Sequence, residues 1–294
     1  MQEIRFEQSL VRALLRDQHP DLADLELRDV EGGWDNQLWR LGRELAVRLP
    51  RTEGGPDLLR VEQQWLPVLA NRLPLPTPVP VRLGEPSSLF AHPWSVARWV
   101  EGEPADREPI TSVDSAAILA EFLRALHVPA PADAPANPTR GIPLAAVHAA
   151  VDNEFEILAD HPRVDDALEL WAKAVAAPIW QGAPLWLHGD LHPANVVVRN
   201  GTLSGILDFG DMCAGDPATD LSAAWILLPT DTAPLFFDAY PAADEATITR
   251  ARGWAILRAL SLINIGRNGR LGLLGGKPTW EPAGYAALDR VLAN

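Results

Sequence analysis

Apolar positions at Ile4, Leu10, Leu14 and Leu15 fall on one side of a helical turn, so residues 3–19 predict an amphipathic helix. The period then shortens. LELRDV (25–30), NQLWRL (36–41) and ELAVRLP (44–50) read as strands, with Gly42-Arg43 as a tight turn between the last two. Residues 57–72 return to a helical pattern, which Pro67 is expected to end or kink. LPLPTPVP (73–80) is extended, because closely spaced prolines exclude helix. VRLGEP and HPWSVARWV then predict a second hairpin. This first part reads as a small, mostly antiparallel sheet with one inserted helix.

EGEPADREP (101–109) is polar, proline-rich and aperiodic, which places a boundary between a lobe of residues 1–101 and a lobe of residues 102–294. Beyond it the pattern is mainly helical. Asp114 or Ser115 is positioned to cap AAILAEFLRALH, PAPADAPANPTRGIP (129–143) is a long loop, and helical patterns resume near 144–159 and 163–176. VVVRNGTLSGILDF predicts a hairpin turning at Asn200-Gly201, and the chain from about 217 onward is helical with loops.

Composition narrows the class. The chain has 294 residues, 47% hydrophobic and 22% charged, with a formal net charge of -14. Its charged N-terminal segment does not resemble a secretory signal, and no apolar run approaches the roughly 18 residues of a membrane helix, so a soluble cytoplasmic protein is expected. The single cysteine, Cys213, excludes an intrachain disulfide and a cysteine-cluster metal site. Negative charge disfavours nucleic acid and favours cationic partners, or simply keeps the chain soluble. Lys173 and Lys277 are its only lysines.

The chemistry concentrates in LHGDLHPANVVV (187–198), where Asp190 and Asn195 form a D-x-x-x-x-N pattern, and in Asp208 of ILDFGD. A hairpin returns its second strand to the start of its first, which predicts Asn195 and Asp208 side by side with Asp190 near. A carboxylate and an amide oxygen suit Mg²⁺, which completes its shell with water and phosphate. A second carboxylate, not needed by the metal, can accept a hydroxyl proton. Trp225 and Trp254 lie on apolar helical patterns and read as core, and Cys213 as incidental. His188 reads as catalytic or, more simply, as a structural hydrogen-bonder; His192 as a phosphate contact or a loop bond; Asp216 as a turn residue.

HGDLHPANVVV with ILDFGD and GDPATDL (215–221) resembles the aminoglycoside phosphotransferase family, small-molecule kinases whose fold is similar to protein kinases. The resemblance implies an α+β, bilobal protein-kinase-like fold, with a small antiparallel-sheet N-lobe carrying one inserted helix and a larger, mainly helical C-lobe. It implies Asp190 as catalytic base, Asn195 and Asp208 as Mg²⁺ ligands, and Asp220 as a brace on the catalytic-loop backbone. Arg48 in ELAVRLPR stands where kinases place lysine, and Glu62 is its ion-pair partner, holding it against the nucleotide phosphates. EGGWDNQLW (31–39) takes the place of the phosphate-covering loop, with Gly32, Gly33, Trp34, Asp35 and Asn36 at its tip. ARWVEGE resembles the hinge, whose backbone at Arg98 and Val100 would read adenine.

The implied activity is Mg²⁺-dependent transfer of the γ-phosphoryl group of ATP or GTP to a hydroxyl of a small molecule. The net charge favours an aminoglycoside-type acceptor, with Asp152, Glu154, Glu156, Asp231 and Asp238 either lining its cleft or simply solvated. Macrolides, choline and homoserine-like metabolites are the alternatives, as is a catalytically silent nucleotide-binding protein. Only eleven residues separate Asp208 from Asp220 and no A-P-E segment follows, which argues against a protein kinase. The oligomeric state stays open.

Overall fold

A computed structural model describes residues 5–30, 33–147, 151 and 154–293. The chain forms two compact units. The first comprises Met1–Asn71, Pro76–Glu101 and Ile206–Gly210, the second Arg72–Leu75, Gly102–Gly205 and Asp211–Asn294.

In the first unit, β1 (Leu27–Val30), β2 (Asn36–Leu41), β3 (Leu45–Pro50), β4 (Pro80–Gly84) and β5 (Trp94–Arg98) form one antiparallel sheet in the order β1-β2-β3-β5-β4. Helix α1 (Gln8–Gln18) contributes Val11, Leu14 and Leu15 to a core shared with Trp39, Leu41, Val47, Leu49 and Trp94. Each such leucine contributes about 1.5–3 kcal/mol on burial. Residues 1–4 lie outside the described residues, Ile4 of the expected helix among them. The helix begins later than its pattern suggested. Gln37 explains this: its Oε1 accepts from the Phe6 N–H at 2.7 Å and its Nε2 donates to the Phe6 carbonyl at 3.1 Å, which diverts that backbone from a helical ladder.

Helix α2 (Gly55–Ala70) runs past Pro67 instead of ending there. The proline sits in the last turn, so its missing N–H removes a single intrahelical bond just before the helix stops.

The second unit is mainly helical, with α3 (Ser115–Leu126), α4 (Val164–Ala176), the short α5 (Ala218–Leu221) and α6 (Ala223–Ile226), α7 (Ala233–Ala239), α8 (Glu245–Arg270) and α9 (Trp280–Leu292). Long α8 packs against α9 and α4. Asp114 occupies the N-cap of α3 without a side-chain bond; Ser115 Oγ instead accepts from the Leu203 N–H at 3.1 Å. Over 144–159 the described residues include 3₁₀ turns at Leu144–Ala146 and Glu156–Leu158, while 148–150 and 152–153 lie outside them.

Two small strand groups shape the polar segment. β6 (Glu103–Pro104), inside the stretch read as the lobe boundary, pairs with β8 (Val196–Arg199), which neighbours β9 (Thr202–Ile206). Asn200 and Gly201 take φ of 52° and 75°, the positive values a type I′ turn demands. β7 (Leu185–Leu187) pairs antiparallel with β10 (Cys213–Gly215), where Cys213 is buried.

Candidate active site

Strand β7 delivers the chain into HGDLHPAN, and Asp220 of α5 fastens the turn. Its carboxylate accepts from the backbone N–H of His188 at 2.7 Å and of Gly189 at 2.8 Å, and meets His127 Nε2 at 3.2 Å. His127 Nδ1 in turn reaches the Tyr240 hydroxyl at 2.8 Å. Burial opposes ionisation of Asp220, but His127 and the Gly189 N–H outweigh it and hold the carboxyl below its ordinary range. Gly189 has φ 83°, and a Cβ there would stand 2.6 Å from the Asp211 carbonyl oxygen, so the turn requires glycine.

Asp190 follows. Its Oδ1 receives Arg258 Nη1 at 2.8 Å and Arg140 Nη2 at 3.1 Å, and its Oδ2 receives His192 Nε2 and Asn195 Nδ2, each at 3.2 Å. Asn195 Nδ2 also donates to the Asp190 carbonyl at 3.0 Å. Burial alone would raise the Asp190 pKa; Arg258, His192 and Arg140 overcome it and hold the carboxyl well below the usual range. The carboxylate is therefore ionised at neutral pH.

The neighbouring polar residues brace this loop. Buried His188 accepts from the Asp190 N–H through Nδ1 at 3.2 Å. His192 Nδ1 accepts from the Ala194 N–H at 3.3 Å, and its ring lies 4.7 Å from that of Trp280. Asp216 does more than turn the chain: it accepts from the Ala218 N–H at 3.0 Å and pairs with buried Arg250 at 2.7 Å. Trp225 and Trp254 are both buried, as their helical patterns predict.

In the first unit, Arg48 stands on central strand β3 opposite Leu38 and Ser95. Its Nη1 donates to Oε1 of fully buried Glu62, and its Nη2 lies 3.7 Å from Asp208 Oδ1. Glu62 Oε2 accepts from the Phe209 N–H at 3.1 Å. Glu62 thus ties the arginine to the DFG segment. Desolvation lowers the Arg48 pKa, but Glu62 and Asp208 raise it further, so the guanidinium stays charged. Asp208 takes the left-handed conformation with φ 57°, which aspartate tolerates better than most residues.

The loop at 33–36 is held from the residues that follow β3. Arg51 Nη2 donates to the Gly33 carbonyl at 2.6 Å and Nε to that of Trp34 at 3.2 Å, while Thr52 Oγ1 donates to Asp35 Oδ1 at 2.5 Å. Trp34 is exposed and Asn36 is buried at the start of β2. Gly32 lies outside the described residues. The Arg98 N–H is spent on the Val79 carbonyl at 3.0 Å, so it is not available to a ligand; Val100 is buried just beyond β5.

The APH family model, phosphotransferase enzyme family, matches residues 26–260. The chain belongs to the phosphotransferase enzyme family. No curated protein matches it significantly. Similar solved structures include the GDP and kanamycin complex of APH(2")-IIia, with a TM-score of 0.72 at 22% identity over 97% of this chain and 98% of that one. The apoenzyme of macrolide 2'-phosphotransferase MphH from Brachybacterium faecium has a TM-score of 0.61 at 21% identity over 96% and 97%. The streptomycin-ATP-APH(2")-IIa ternary complex has a TM-score of 0.60 at 16% identity over 89% and 90%. At these identities the likeness is one of fold, and the phosphotransferase shares their kinase-like α+β architecture.

The structure groups the residues of this phosphotransferase unit by unit. Arg48, Glu62 and Asp208 meet in the first; Asp190 and Asn195 meet in the second. Arg140, Arg258, His127 and Arg51 were not singled out from the sequence. Arg51 alone carried a signal, as the second arginine of AVRLPR; the others lie in segments with no motif.

Proposed function

We propose that this phosphotransferase moves the γ-phosphoryl group of ATP or GTP to a hydroxyl of a small molecule, with Mg²⁺. The observation that carries the reading is Asp190, an ionised carboxylate held at a fixed position by a loop whose backbone is pinned to Asp220. In this reading Asp190 orients the acceptor hydroxyl and takes its proton late. Arg48, fixed by Glu62, grips the nucleotide phosphates; Gly33, Trp34 and Asn36 belong to the loop that covers them, and the backbone at Val100 reads adenine, without the Arg98 N–H, which is spent on Val79.

Asn195 and Asp208 are the proposed metal ligands. Asn195 spends its Nδ2 on Asp190, which leaves the amide oxygen as its metal-binding end, and the Asp208 side chain is 38% exposed. Among the described residues no group of three or more His, Cys, Asp or Glu side chains forms a metal cluster. A sparse set of oxygen ligands suits Mg²⁺, which keeps its waters and binds phosphate; when bound it would neutralise the charge of the transferring phosphoryl group.

The acceptor is proposed as a small hydroxyl compound. Kanamycin, streptomycin and macrolides are named for the similar structures, and the net charge favours a cation at long range. The local acids give that preference little support: Glu156, Asp231 and Asp238 are exposed, Asp152 lies outside the described residues, and Glu154 alone of the five lines the cavity bounded by Arg140 and Arg258. Among the described residues no helix is long and apolar enough to cross a membrane. Nucleotide diphosphate release, measured over a panel of antibiotics and hydroxylated metabolites, tests the activity. Asp190→Ala should lower turnover by roughly 10²–10⁴-fold while nucleotide still binds, and chelation should stop turnover until Mg²⁺ is restored. Full activity of Asp190→Ala sinks the reading.

A further inference from the structure

A cavity of about 180 Å³ within the second unit is bounded by both arginines that hold Asp190. Arg140 and Arg258 share its wall with Thr219, Ser222, Trp254 and Glu154. Among the described lining residues Glu154 is the sole carboxylate, and its Oε2 lies 3.5 Å from Asn264 Nδ2. Pockets that enclose drug-sized ligands span roughly 300–1,000 Å³, so the volume bounded by these residues lies below that range.

The Asp190 carboxylate is saturated. It has about four lone-pair positions, and two arginines occupy Oδ1 while His192 and Asn195 occupy Oδ2. An incoming hydroxyl can reach it only where one donor gives way. His192 and Asn195 are fixed by their own loop, whereas Arg140 and Arg258 come from elsewhere in the chain and face the cavity. Arg140 Nε is also buried without a hydrogen-bond partner. A ligand that supplies a replacement anion gives both guanidinium groups a new charged acceptor as they turn from Asp190, which offsets the Arg258 bond to the Gly189 carbonyl at 3.4 Å and the Arg140 bond to the Thr139 carbonyl at 3.2 Å. A ligand ammonium is a donor only and offers the two guanidinium groups no acceptor.

We propose that the natural acceptor is a small hydroxy acid, whose carboxylate is received by Arg140 and Arg258 while its hydroxyl takes their place on Asp190. This rests on the phosphotransferase reading above. In the step itself the acceptor oxygen forms the new bond to the γ-phosphorus, the bond to the β-bridging oxygen breaks, nucleoside diphosphate leaves, and the hydroxyl proton passes to Asp190 and then to water.

Two matched series isolate charge: glycerate, glyceramide and aminopropanediol, and gluconate, gluconamide and glucamine. Diphosphate release at saturating ATP and Mg²⁺ gives kcat/KM for each, beside kanamycin and a macrolide as reference acceptors. The acid should exceed the amine of its series by about tenfold or more, the worth of a charge-assisted hydrogen bond. Arg140→Gln should bring the acid-to-amide ratio near unity through the KM of the acid. Arg258→Lys keeps the buried charge but loses the fork, and should raise the same KM in a folded protein. An acid preference in either series, lost in Arg140→Gln, supports the proposal. Preference for the amine or amide in both series overturns it. Turnover of kanamycin or the macrolide with none of either acid also overturns it, and leaves the phosphotransferase reading intact. No turnover of any acceptor by nucleotide-bound protein overturns both.

Discussion

Asp220 is the sharpest point at which to perturb this protein. Its side chain is fully buried and accepts the His188 and Gly189 N–H groups as well as His127. Alanine removes the acceptor for all three and strands two backbone donors without water. A hydrogen bond to a charged group contributes about 1.5–3 kcal/mol, and a stranded buried donor costs about 1–3 kcal/mol, so Asp220→Ala should lose roughly 3–6 kcal/mol. That is a large share of the roughly 5–15 kcal/mol by which domains are stable. Asp220→Asn keeps one carbonyl acceptor but turns an N–H₂ toward a donor, and should lose roughly 2–4 kcal/mol. Urea denaturation followed by circular dichroism reads this as a fall in midpoint at unchanged slope. Turnover should fall more than nucleotide affinity, because the stranded backbone is the segment that carries Asp190. An Asp220→Asn protein within about 0.5 kcal/mol of the parent, the range of an ordinary surface change, and with parental turnover, would falsify the assigned role.

Three further outcomes follow from the same geometry. Glu62→Gln leaves the buried Arg48 with a neutral partner; breaking such a pair costs about 3–5 kcal/mol, and calorimetry should show nucleotide affinity weakened by about tenfold, against which unchanged affinity would count decisively. Asp190 and Asp220 both have folded pKa values below the unfolded aspartate value of about 3.9, so each contributes stability that is complete above that value and is lost as pH falls through the lower folded one. Urea midpoints should therefore fall on acidification below about pH 4, less steeply in Asp220→Asn, and a midpoint that rises there contradicts the sign. Gly189→Ala puts a Cβ 2.6 Å from the Asp211 carbonyl at φ 83°, a strain of about 1–3 kcal/mol; turnover should drop while the fold persists by circular dichroism, and a fully active variant would show that the turn tolerates a side chain.

Much of the architecture was legible because it is locally encoded. The strands of the first unit follow apolar runs broken by turn residues, and the Asn200-Gly201 turn follows from two residues that accept positive φ. Where local reading strayed, a tertiary contact or a position within an element explains it. Gln37 hydrogen-bonds Phe6 in both directions and moves the start of α1, and Pro67 is harmless because α2 ends just after it.

The candidate site divides along the same line. The sequence by itself determined the local bonds of the turn from His188 to Asn195, since Gly189, the Nδ1 bonds of His188 and His192, and the Asn195 bond to Asp190 all act within a few residues. Only the tertiary structure decided which arginines meet Asp190 and which histidine meets Asp220. Arg140 comes from a proline-rich loop, Arg258 from the middle of α8 and His127 from the end of α3, and no spacing in the chain links them. Their pairing depends on which helix faces bury together, and a one-dimensional pattern records the period of a face but not its partner.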